Sequence, residues 1–346
     1  MWDLPRRAGR AASLSVLVVL AAGCGSGGSG VSAGPATPAG SPAPSGSSPS
    51  TGQDGACPTA PKPDASALTA WDGSSQRPTL FPVIVSSRQA CGENRFLFSF
   101  LDKDNRPVAR PERTVSVAFY DLARDPATPT ATNPAAFLWA IEGERGLYVA
   151  NVAFDEAGTW GVEFTTEAPG AASETIRVTF EVQPDPPAIA IGDRAPASKT
   201  PTLGDVGGDA SKVSTDAKPV AAFYQTSVAD ALAAKKPFVL IFATPKFCTS
   251  AQCGPTLDRL KPIAAAHPGV TFINVEPYRL EERDGQLQPV LTNDALTPVP
   301  SVVEWGLTSE PWIFAVGADG VVRGSYEGVV GDAELEAVLK RLEAGG

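Results

Sequence analysis

The sequence predicts two folded domains, an all-β domain followed by a mixed α/β domain, and 346 residues are enough to build two separate cores. Residues 57–185 contain short runs rich in Val, Phe, Thr and Tyr in which apolar and polar positions alternate, as in half-buried strands. Residues 220–346 instead contain continuous apolar runs and amphipathic helices, a pattern typical of α/β domains. Residues 186–219 are rich in Pro, Gly and Asp and predict an extended linker between the two.

Residues 1–24 predict an export signal that ends in a lipid anchor. Three arginines precede the apolar run AASLSVLVVLAA, which is too short to span a bilayer and leads into LAAGC. Small residues directly before Cys24 resemble the lipobox of bacterial lipoproteins, which implies acylation of Cys24, for example with palmitate, and removal of the preceding peptide. The alternative is an ordinary secretory signal cleaved near Ala22.

Residues 25–56 predict a flexible tether. They consist mainly of Gly, Ser, Pro and Ala, so the segment cannot bury enough apolar surface to offset the entropy of ordering it. Behind an acylated Cys24, such a tether would hold the folded domains at a distance from the membrane. We therefore expect a lipid-anchored protein on the extracytoplasmic face of the cell membrane, with the lipid as its only membrane contact.

Charge and histidine content exclude several classes of function. A net charge of −10 argues against nucleic acid as a partner and against electrostatic docking on anionic lipid. His267 is the only histidine, so a serine-histidine-aspartate mechanism would have to use it as the base, and a multi-histidine zinc site is excluded. No metal and no cofactor is predicted. His267 is expected at the end of a helix, where its charge would favour the helix dipole.

The all-β domain is predicted to be a β-sandwich of about seven short strands. Turn sequences such as DKDNRP, GERG and DEAGT separate the strand candidates. In the run RFLFSFLD, Phe96, Phe98 and Phe100 would share one face of a strand. The stretch GLYVANVAFDEAGTWGVEF resembles a hairpin of bacterial immunoglobulin-like domains, which implies that Trp160 fills the core. We find no group of catalytic residues in this domain.

The mixed domain predicts its elements in the order helix, strand, cysteine segment, helix, strand, variable segment, β-hairpin and helix. The buried strands are PFVLIFAT and GVTFINVEPY, and the helix between them, TLDRLKPIAAAHP, should kink at Pro262. The hairpin WIFAVGADGVVRGSYEGVV precedes the closing helix GDAELEAVLKRLEAGG. The variable segment EPYRLEERDGQLQPVLTNDALTPVPS is polar and proline-rich, and predicts a long loop that either covers the cysteines or is disordered.

This order of elements, the string CGP at 253–255 and the stretch SEPWIFAVGADG resemble the thioredoxin superfamily over residues 220–344. The resemblance implies a thioredoxin-like fold with a cis-proline at Pro311 that faces the redox cysteines. It also implies that Pro311 and its neighbour Trp312 bind a substrate strand.

The cysteine count predicts two disulfides. If Cys24 is acylated, four cysteines remain in an oxidising compartment, and the domain layout favours the pairs Cys57–Cys91 and Cys248–Cys253 among the three possible pairings. The first pair closes a long loop and gains roughly 4 kcal/mol from chain entropy, as a structural bond should. The second closes a short loop and gains roughly 2 kcal/mol, so it is the more readily reduced bond.

The spacing of Cys248 and Cys253 predicts where the helix begins. Residues five apart in a helix are separated by about 7.5 Å along its axis, which exceeds the roughly 7 Å limit between the Cα atoms of a disulfide. If the two are bonded, Cys248 must therefore lie in a loop and the helix must begin near Cys253. The attacking sulfur stays open: the helix terminus would stabilise a thiolate at Cys253, whereas Cys248 would be the more exposed.

The thioredoxin resemblance implies thiol–disulfide exchange on exported proteins, with Cys248 and Cys253 as the catalytic pair and an unidentified protein as electron donor or acceptor. Thioredoxins have two residues between their cysteines, and here four intervene. The alternative is therefore a non-catalytic binding or scaffold lipoprotein in which Cys248–Cys253 is a structural disulfide.

Overall fold

The structure, a computed structural model, describes residues 57–71, 77–186 and 188–345. The protein is β-rich with several sheets, and its C-terminal part combines a sheet with a few helices. The predicted export signal, Cys24 and the tether lie outside the described residues. Within those residues, no helix combines the length and the apolar character that crossing a bilayer requires.

Residues 57–186, here called the two-sheet region, contain one short helix and nine strands. These are α1 (Ala65–Trp71), β1 (Leu80–Ile84), β2 (Gln89–Ala90), β3 (Gly92–Asp102), β4 (Thr114–Asp121), β5 (Ala131–Pro134), β6 (Ala136–Ile141), β7 (Arg145–Phe154), β8 (Gly158–Glu167) and β9 (Glu174–Gln183). One sheet has the order β1-β3-β7-β6 and the other the order β2-β9-β8-β4-β5, and only the short β2 pairs in parallel. The seven predicted strands are confirmed, and β2 and β5 are additional.

The two sheets share one core, as the alternation of apolar residues predicts. Phe96, Phe98 and Phe100 on β3 are fully buried. Their rings lie 6.4, 4.8 and 5.7 Å from the ring of Phe164 on β8, which belongs to the opposite sheet. Trp160 is 2% exposed and belongs to the same core. The predicted face of β3 and the predicted burial of Trp160 are confirmed.

The Cys57–Cys91 disulfide joins the beginning of the described chain to the sheets, with 6.3 Å between the Cα atoms. Next to it, the amide of Ala157 donates to the carbonyl of Pro58 at 2.9 Å, and Ala60 donates back to Ala157 at 2.8 Å. The predicted pairing is confirmed, and the bond holds the incoming chain against the sheet.

Residues 188–345, here called the mixed region, contain three short 3-10 turns, four helices and eight strands. The turns are Leu203–Val206, Ala210–Lys212 and Ala221–Tyr224; the other elements are α2 (Val228–Ala233), β10 (Phe238–Phe242), α3 (Cys253–Ala266), β11 (Thr271–Val275), β12 (Leu280–Arg283), β13 (Gln286–Pro289), β14 (Leu291–Thr292), β15 (Ala295–Leu296), α4 (Pro300–Glu304), β16 (Trp312–Val316), β17 (Val322–Glu327) and α5 (Asp332–Glu343). The main sheet has the order β11-β10-β16-β17, in which β10 and β11 are parallel and the other pairs antiparallel.

The main sheet of the mixed region is buried on both faces, which explains the continuous apolar run of β10. Val239 and Ile241 point to a core formed with α3 and α5, whereas Phe238, Leu240 and Phe242 point to a core formed with α2 and Trp305. The apolar stripe predicted for α5 is confirmed, since all four of its members are buried: Leu335, Val338, Leu339 and Leu342.

The segment predicted as a linker packs onto the mixed region from residue 188 onward. Gly192 donates its amide to the carbonyl of Val322 at 2.9 Å, and Ala195 donates to Gly320 at 2.9 Å. Leu203 is 8% exposed and lies in the core between the sheet, α3 and α5. The predicted domain bounds stay predictions.

The variable segment before α4 differs from the loop that its polar, proline-rich sequence predicts. It forms two antiparallel hairpins, β12–β13 and β14–β15. Residues Asp284, Asn293 and Asp294 adopt positive φ values of 53°, 52° and 62°. Asp and Asn tolerate this backbone region better than most side chains, so the turns are encoded although the strands are short and polar.

The two-sheet region contacts the mixed region through the outer face of its first sheet. Ala140 and Leu147 pack with Val329, which follows β17. Arg95 on β3 forms a bidentate ion pair with Glu334 on α5, at 2.7 and 2.8 Å. The same guanidinium lies 5.3 Å from the ring centroid of Tyr326. Apolar contact, paired charges and a cation–π contact thus join the two regions.

Candidate functional site

Cys248 and Cys253 form a disulfide at the N-terminus of α3. Their Cα atoms are 6.0 Å apart, and α3 begins at Cys253, so Cys248 lies in the loop between β10 and the helix. Both features are as predicted from the spacing. Gly254 and Pro255 occupy the first turn of the helix, where the missing N–H of proline leaves no bond unmade.

The two sulfurs differ in accessibility and in surroundings. Cys253 is fully buried, whereas Cys248 is half-buried. The amide of Cys253 donates to Sγ of Cys248 at 3.3 Å. In the reduced protein, this N–H and the positive end of α3 would therefore stabilise a thiolate at Cys248.

The loop between the cysteines is bonded to the residue before the predicted cis-proline. The Glu310–Pro311 peptide bond is cis, as predicted. Ser250 donates its hydroxyl to the carbonyl of Glu310 at 3.1 Å, and the same hydroxyl lies 3.3 Å from Sγ of Cys248. Thr249 donates its amide and its hydroxyl to Oε1 of Glu310 at 3.1 and 3.0 Å. The structure thus joins the cysteine loop to Glu310, the residue before Pro311.

Glu310 is a buried carboxylate that the sequence analysis did not single out. It is 9% exposed, and its second oxygen accepts a 2.6 Å hydrogen bond from the hydroxyl of Tyr278. Burial, and then the bond to Glu310, raise the pKa of Tyr278 far above its ordinary value, so Tyr278 remains a donor at any physiological pH. The only sequence signal for Glu310 is its position directly before Pro311.

Trp312 follows Pro311, but its side chain lies in the core. It is 4% exposed, its ring stacks on Phe314 with a 6.0 Å centroid separation, and its indole N–H donates to Ser325 at 3.2 Å. The role of Trp312 in substrate binding stays a prediction. Trp305 is fully buried in the core, and its indole N–H donates to the hydroxyl of Ser198 at 3.1 Å.

The β12–β13 hairpin borders the cysteine loop. Lys246, two residues before Cys248, donates its ammonium to the side chain of Gln286 on β13 at 3.0 Å. Tyr278, just before β12, bonds Glu310 as described above. The segment predicted to cover the cysteines therefore lies beside their loop as an ordered ribbon.

The two-sheet region reaches the cysteine loop from another side. Arg145, the first residue of β7, donates Nη1 to the carbonyl of Ser250 at 2.9 Å. A cavity of about 230 Å³ is lined by residues of both regions, among them Trp139 of the two-sheet region and Pro255 and Thr256 of α3. The site is thus bounded by both regions of the protein.

Two further buried titratable groups lie near the ends of the central strands and helices. Burial raises the pKa of Glu276, although hydrogen bonds from Thr244 and Thr215 oppose the shift. Burial opposes the charged form of His267, but its hydrogen bonds to Glu343 and Glu336 outweigh burial and raise the pKa of His267. His267 caps the C-terminus of α3, where it was predicted.

In the described part of the chain, no group of three or more His, Cys, Asp or Glu residues is arranged to hold a metal ion.

Comparisons with known proteins do not identify a family for this chain. No protein family model matches the chain, and no curated protein matches it. Among the solved structures that match is a DUF4426 family protein from Pseudomonas aeruginosa PAO1, which is 18% identical. The match covers 31% of this chain and 91% of that chain, with a TM-score of 0.23. A likeness at this TM-score carries no argument about fold or function.

Proposed function

We propose that this protein is an extracytoplasmic thiol–disulfide exchange protein whose redox pair is Cys248–Cys253. The observation that carries the proposal is a short-loop disulfide at a helix N-terminus whose loop is hydrogen-bonded to the carbonyl of Glu310, the residue before a cis-proline. A bond that closes so short a loop gains little from chain entropy and is suited to repeated reduction.

The finer description of the fold is part of the same proposal. A strand order β11-β10-β16-β17, with β10 and β11 parallel, α3 between them and α5 after the β16–β17 hairpin, supports a thioredoxin-like fold for the mixed region. Two facing sheets of short antiparallel strands around Trp160 support an immunoglobulin-like sandwich for the two-sheet region.

We assign the attack to Cys248, because it is the less buried of the two cysteines and its sulfur accepts the amide hydrogen of Cys253. The Cys248 thiolate attacks one sulfur of a substrate disulfide; that S–S bond breaks, a mixed disulfide forms, and the other substrate sulfur leaves as a thiolate that takes up a proton. Cys253 then loses its proton and attacks Cys248. The Cys248–Cys253 bond forms, and the second substrate thiol is released, so two electrons pass to the substrate.

The same steps in reverse oxidise a substrate dithiol and reduce Cys248–Cys253. Repeated turnover in either direction needs a second dithiol or disulfide protein as electron donor or acceptor. Exported proteins are the substrates we propose. The two disulfides are consistent with an extracytoplasmic protein, and the proposed acylation of Cys24 would tether the exchange site to the membrane.

Trapping of mixed disulfides in the full-length protein tests the proposal. In Cys253→Ser, the attacking sulfur remains and the resolving one is lost, so substrates should accumulate as mixed disulfides on Cys248. The matched variant Cys248→Ser keeps only the buried sulfur and should trap at least tenfold less. If neither variant traps a protein and the wild type does not reduce insulin with dithiothreitol as donor, the pair is structural. The protein would then be a non-catalytic binding or scaffold lipoprotein.

A further inference from the structure

The cysteine loop is bonded to a side chain of the two-sheet region, far away in the sequence. Arg145 donates Nη1 to the carbonyl of Ser250 at 2.9 Å. Ser250 lies between the two cysteines, and its hydroxyl is 3.3 Å from Sγ of Cys248. Arg145 therefore holds the residue whose side chain contacts the accessible sulfur.

The backbone that carries Arg145 is held firmly. The next residue, Gly146, accepts a hydrogen bond from the hydroxyl of Ser99 at 3.0 Å, and a Cβ at Gly146 would lie 2.7 Å from the carbonyl oxygen of Ala109. The strand β7 also supplies Leu147, which packs against Val329 of the mixed region. Arg145 thus extends from a fixed strand across a packed contact between the two regions.

Arg145 also brings a positive charge toward the accessible sulfur. Other charged or titratable groups near this loop include the buried carboxylate of Glu310 with its partner Tyr278, and the ammonium of Lys246. The exposed acids Glu142 and Glu144 precede Arg145 in the chain. The guanidinium is bonded to the carbonyl of Ser250, two residues after Cys248. A cation on this loop would favour a thiolate at Cys248, in opposition to Glu310.

We propose that Arg145 is a positioning residue of the exchange site, so that the two-sheet region is a working part of that site rather than a separate recognition module. Arg145 fixes the Cys248–Ser250 segment and its charge stabilises the Cys248 thiolate. This inference rests on the proposed exchange function. The effect of Arg145 on the reactivity and redox equilibrium of the cysteine pair can be measured without any substrate.

The test compares Arg145→Met and Arg145→Lys with Arg106→Met in the full-length protein. Arg106 is a matched control, because it is 75% exposed and sits on the turn after β3, where it lies 3.7 Å from Asp104. Two quantities are measured: the rate at which iodoacetamide alkylates Cys248 in the reduced protein as a function of pH, mapped by mass spectrometry, and the equilibrium of the cysteine pair with glutathione. Thermal unfolding establishes that each variant is folded.

For Arg145→Met we expect about a threefold slower alkylation at pH 7, and about a threefold shift of the glutathione equilibrium toward the disulfide, since the thiolate loses a favourable charge. Both differences should shrink in 1 M salt, which a purely structural role would not produce. Arg145→Lys keeps the charge but not the planar donor group, so it should fall between the wild type and Arg145→Met. If Arg145→Met does not fold, the same comparison is made with Arg145→Lys. Arg106→Met should match the wild type.

The inference is overturned if Arg145→Met and Arg106→Met give the same alkylation profile and the same equilibrium at low salt. That outcome leaves the exchange function standing if the wild type reduces insulin. A wild type that fails to exchange, together with a shifted equilibrium in Arg145→Met, would remove the proposed function and keep the positioning role of Arg145.

Discussion

At the scale of single residues, the chemistry of the site depends on opposing effects at Cys248. The amide of Cys253 and the terminus of α3 favour a thiolate at this sulfur. The buried carboxylate of Glu310, bonded to the adjacent Thr249, disfavours it because like charges repel strongly where water is excluded. The reactivity of Cys248 is therefore set by the balance between these groups.

Glu310→Gln tests this balance. The amide keeps an acceptor for Thr249 and removes the negative charge, so we expect the reduced protein to be alkylated at Cys248 several times faster at pH 7. Because the bond from Tyr278 must rearrange, the free energy of unfolding should fall by about 1–2 kcal/mol. The measurement is the same alkylation profile, with the variant Glu281→Gln on the exposed strand β12 as control. Equal rates in Glu310→Gln and in the wild type would show that the carboxylate does not act on Cys248.

The residues of the site were only partly predictable from the sequence. Cys248 and Cys253 could be found from their spacing, and Pro311 from the resemblance of its surroundings to the thioredoxin superfamily. Glu310 and Arg145 could not. Glu310 acts through burial, which no local pattern reveals. Arg145 begins β7 directly after a turn, where an exposed arginine is ordinary, and it is 105 residues from its partner.

At the scale of elements, the ends of α3 have different functions. Its N-terminus carries Cys253, and its C-terminus is capped by His267, which joins it to α5 through Glu336 and Glu343 at 3.2 and 2.9 Å. This link holds α5 against α3 at the end opposite the disulfide. Since α5 also pairs with Arg95 through Glu334, the same helix connects α3 to the two-sheet region.

The raised pKa of His267 predicts a pH dependence of stability. The folded protein binds the proton more tightly than the unfolded chain, whose histidine pKa is about 6.5. The stabilisation is therefore fully present below pH 6.5 and is lost as the pH rises through the folded pKa. In urea unfolding, the difference in free energy between the wild type and His267→Gln should be largest on the acidic side and shrink as the pH increases. A difference that does not change with pH, or that grows as the pH rises, would contradict this assignment.

Most elements could be predicted because their apolar residues follow a clear pattern along the sequence. The elements that were not predicted have no such pattern. The apolar run of β10 and the stripe of α5 are unambiguous, because β10 is buried on both faces and α5 is buried along one stripe. The hairpins β12–β13 and β14–β15 are short and contain no buried residue, so their polar sequence is like that of a loop. The packing of the segment after residue 188 depends on backbone hydrogen bonds to β17 and its turn, which composition cannot show.

At the scale of the whole molecule, the two regions are joined by several contacts, one of which reaches the cysteine loop. The ion pair of Arg95 with Glu334, the apolar contact of Leu147 with Val329 and the bond from Arg145 to Ser250 all cross between them. Two independent domains that are joined only by a linker would not need these contacts. The arrangement instead presents the cysteine loop between the two-sheet region on one side and the β12–β13 hairpin on the other.

The reduction potential of Cys248–Cys253 in the full-length protein tests the exchange proposal most directly. It is measured by equilibration with glutathione of defined redox poise, followed by alkylation and mass mapping of the two cysteines. A pair that exchanges with exported proteins should have a potential between about −270 and −120 mV, the range of proteins that exchange disulfides. A potential well below about −300 mV would mean that the bond is a structural disulfide and would contradict the proposal.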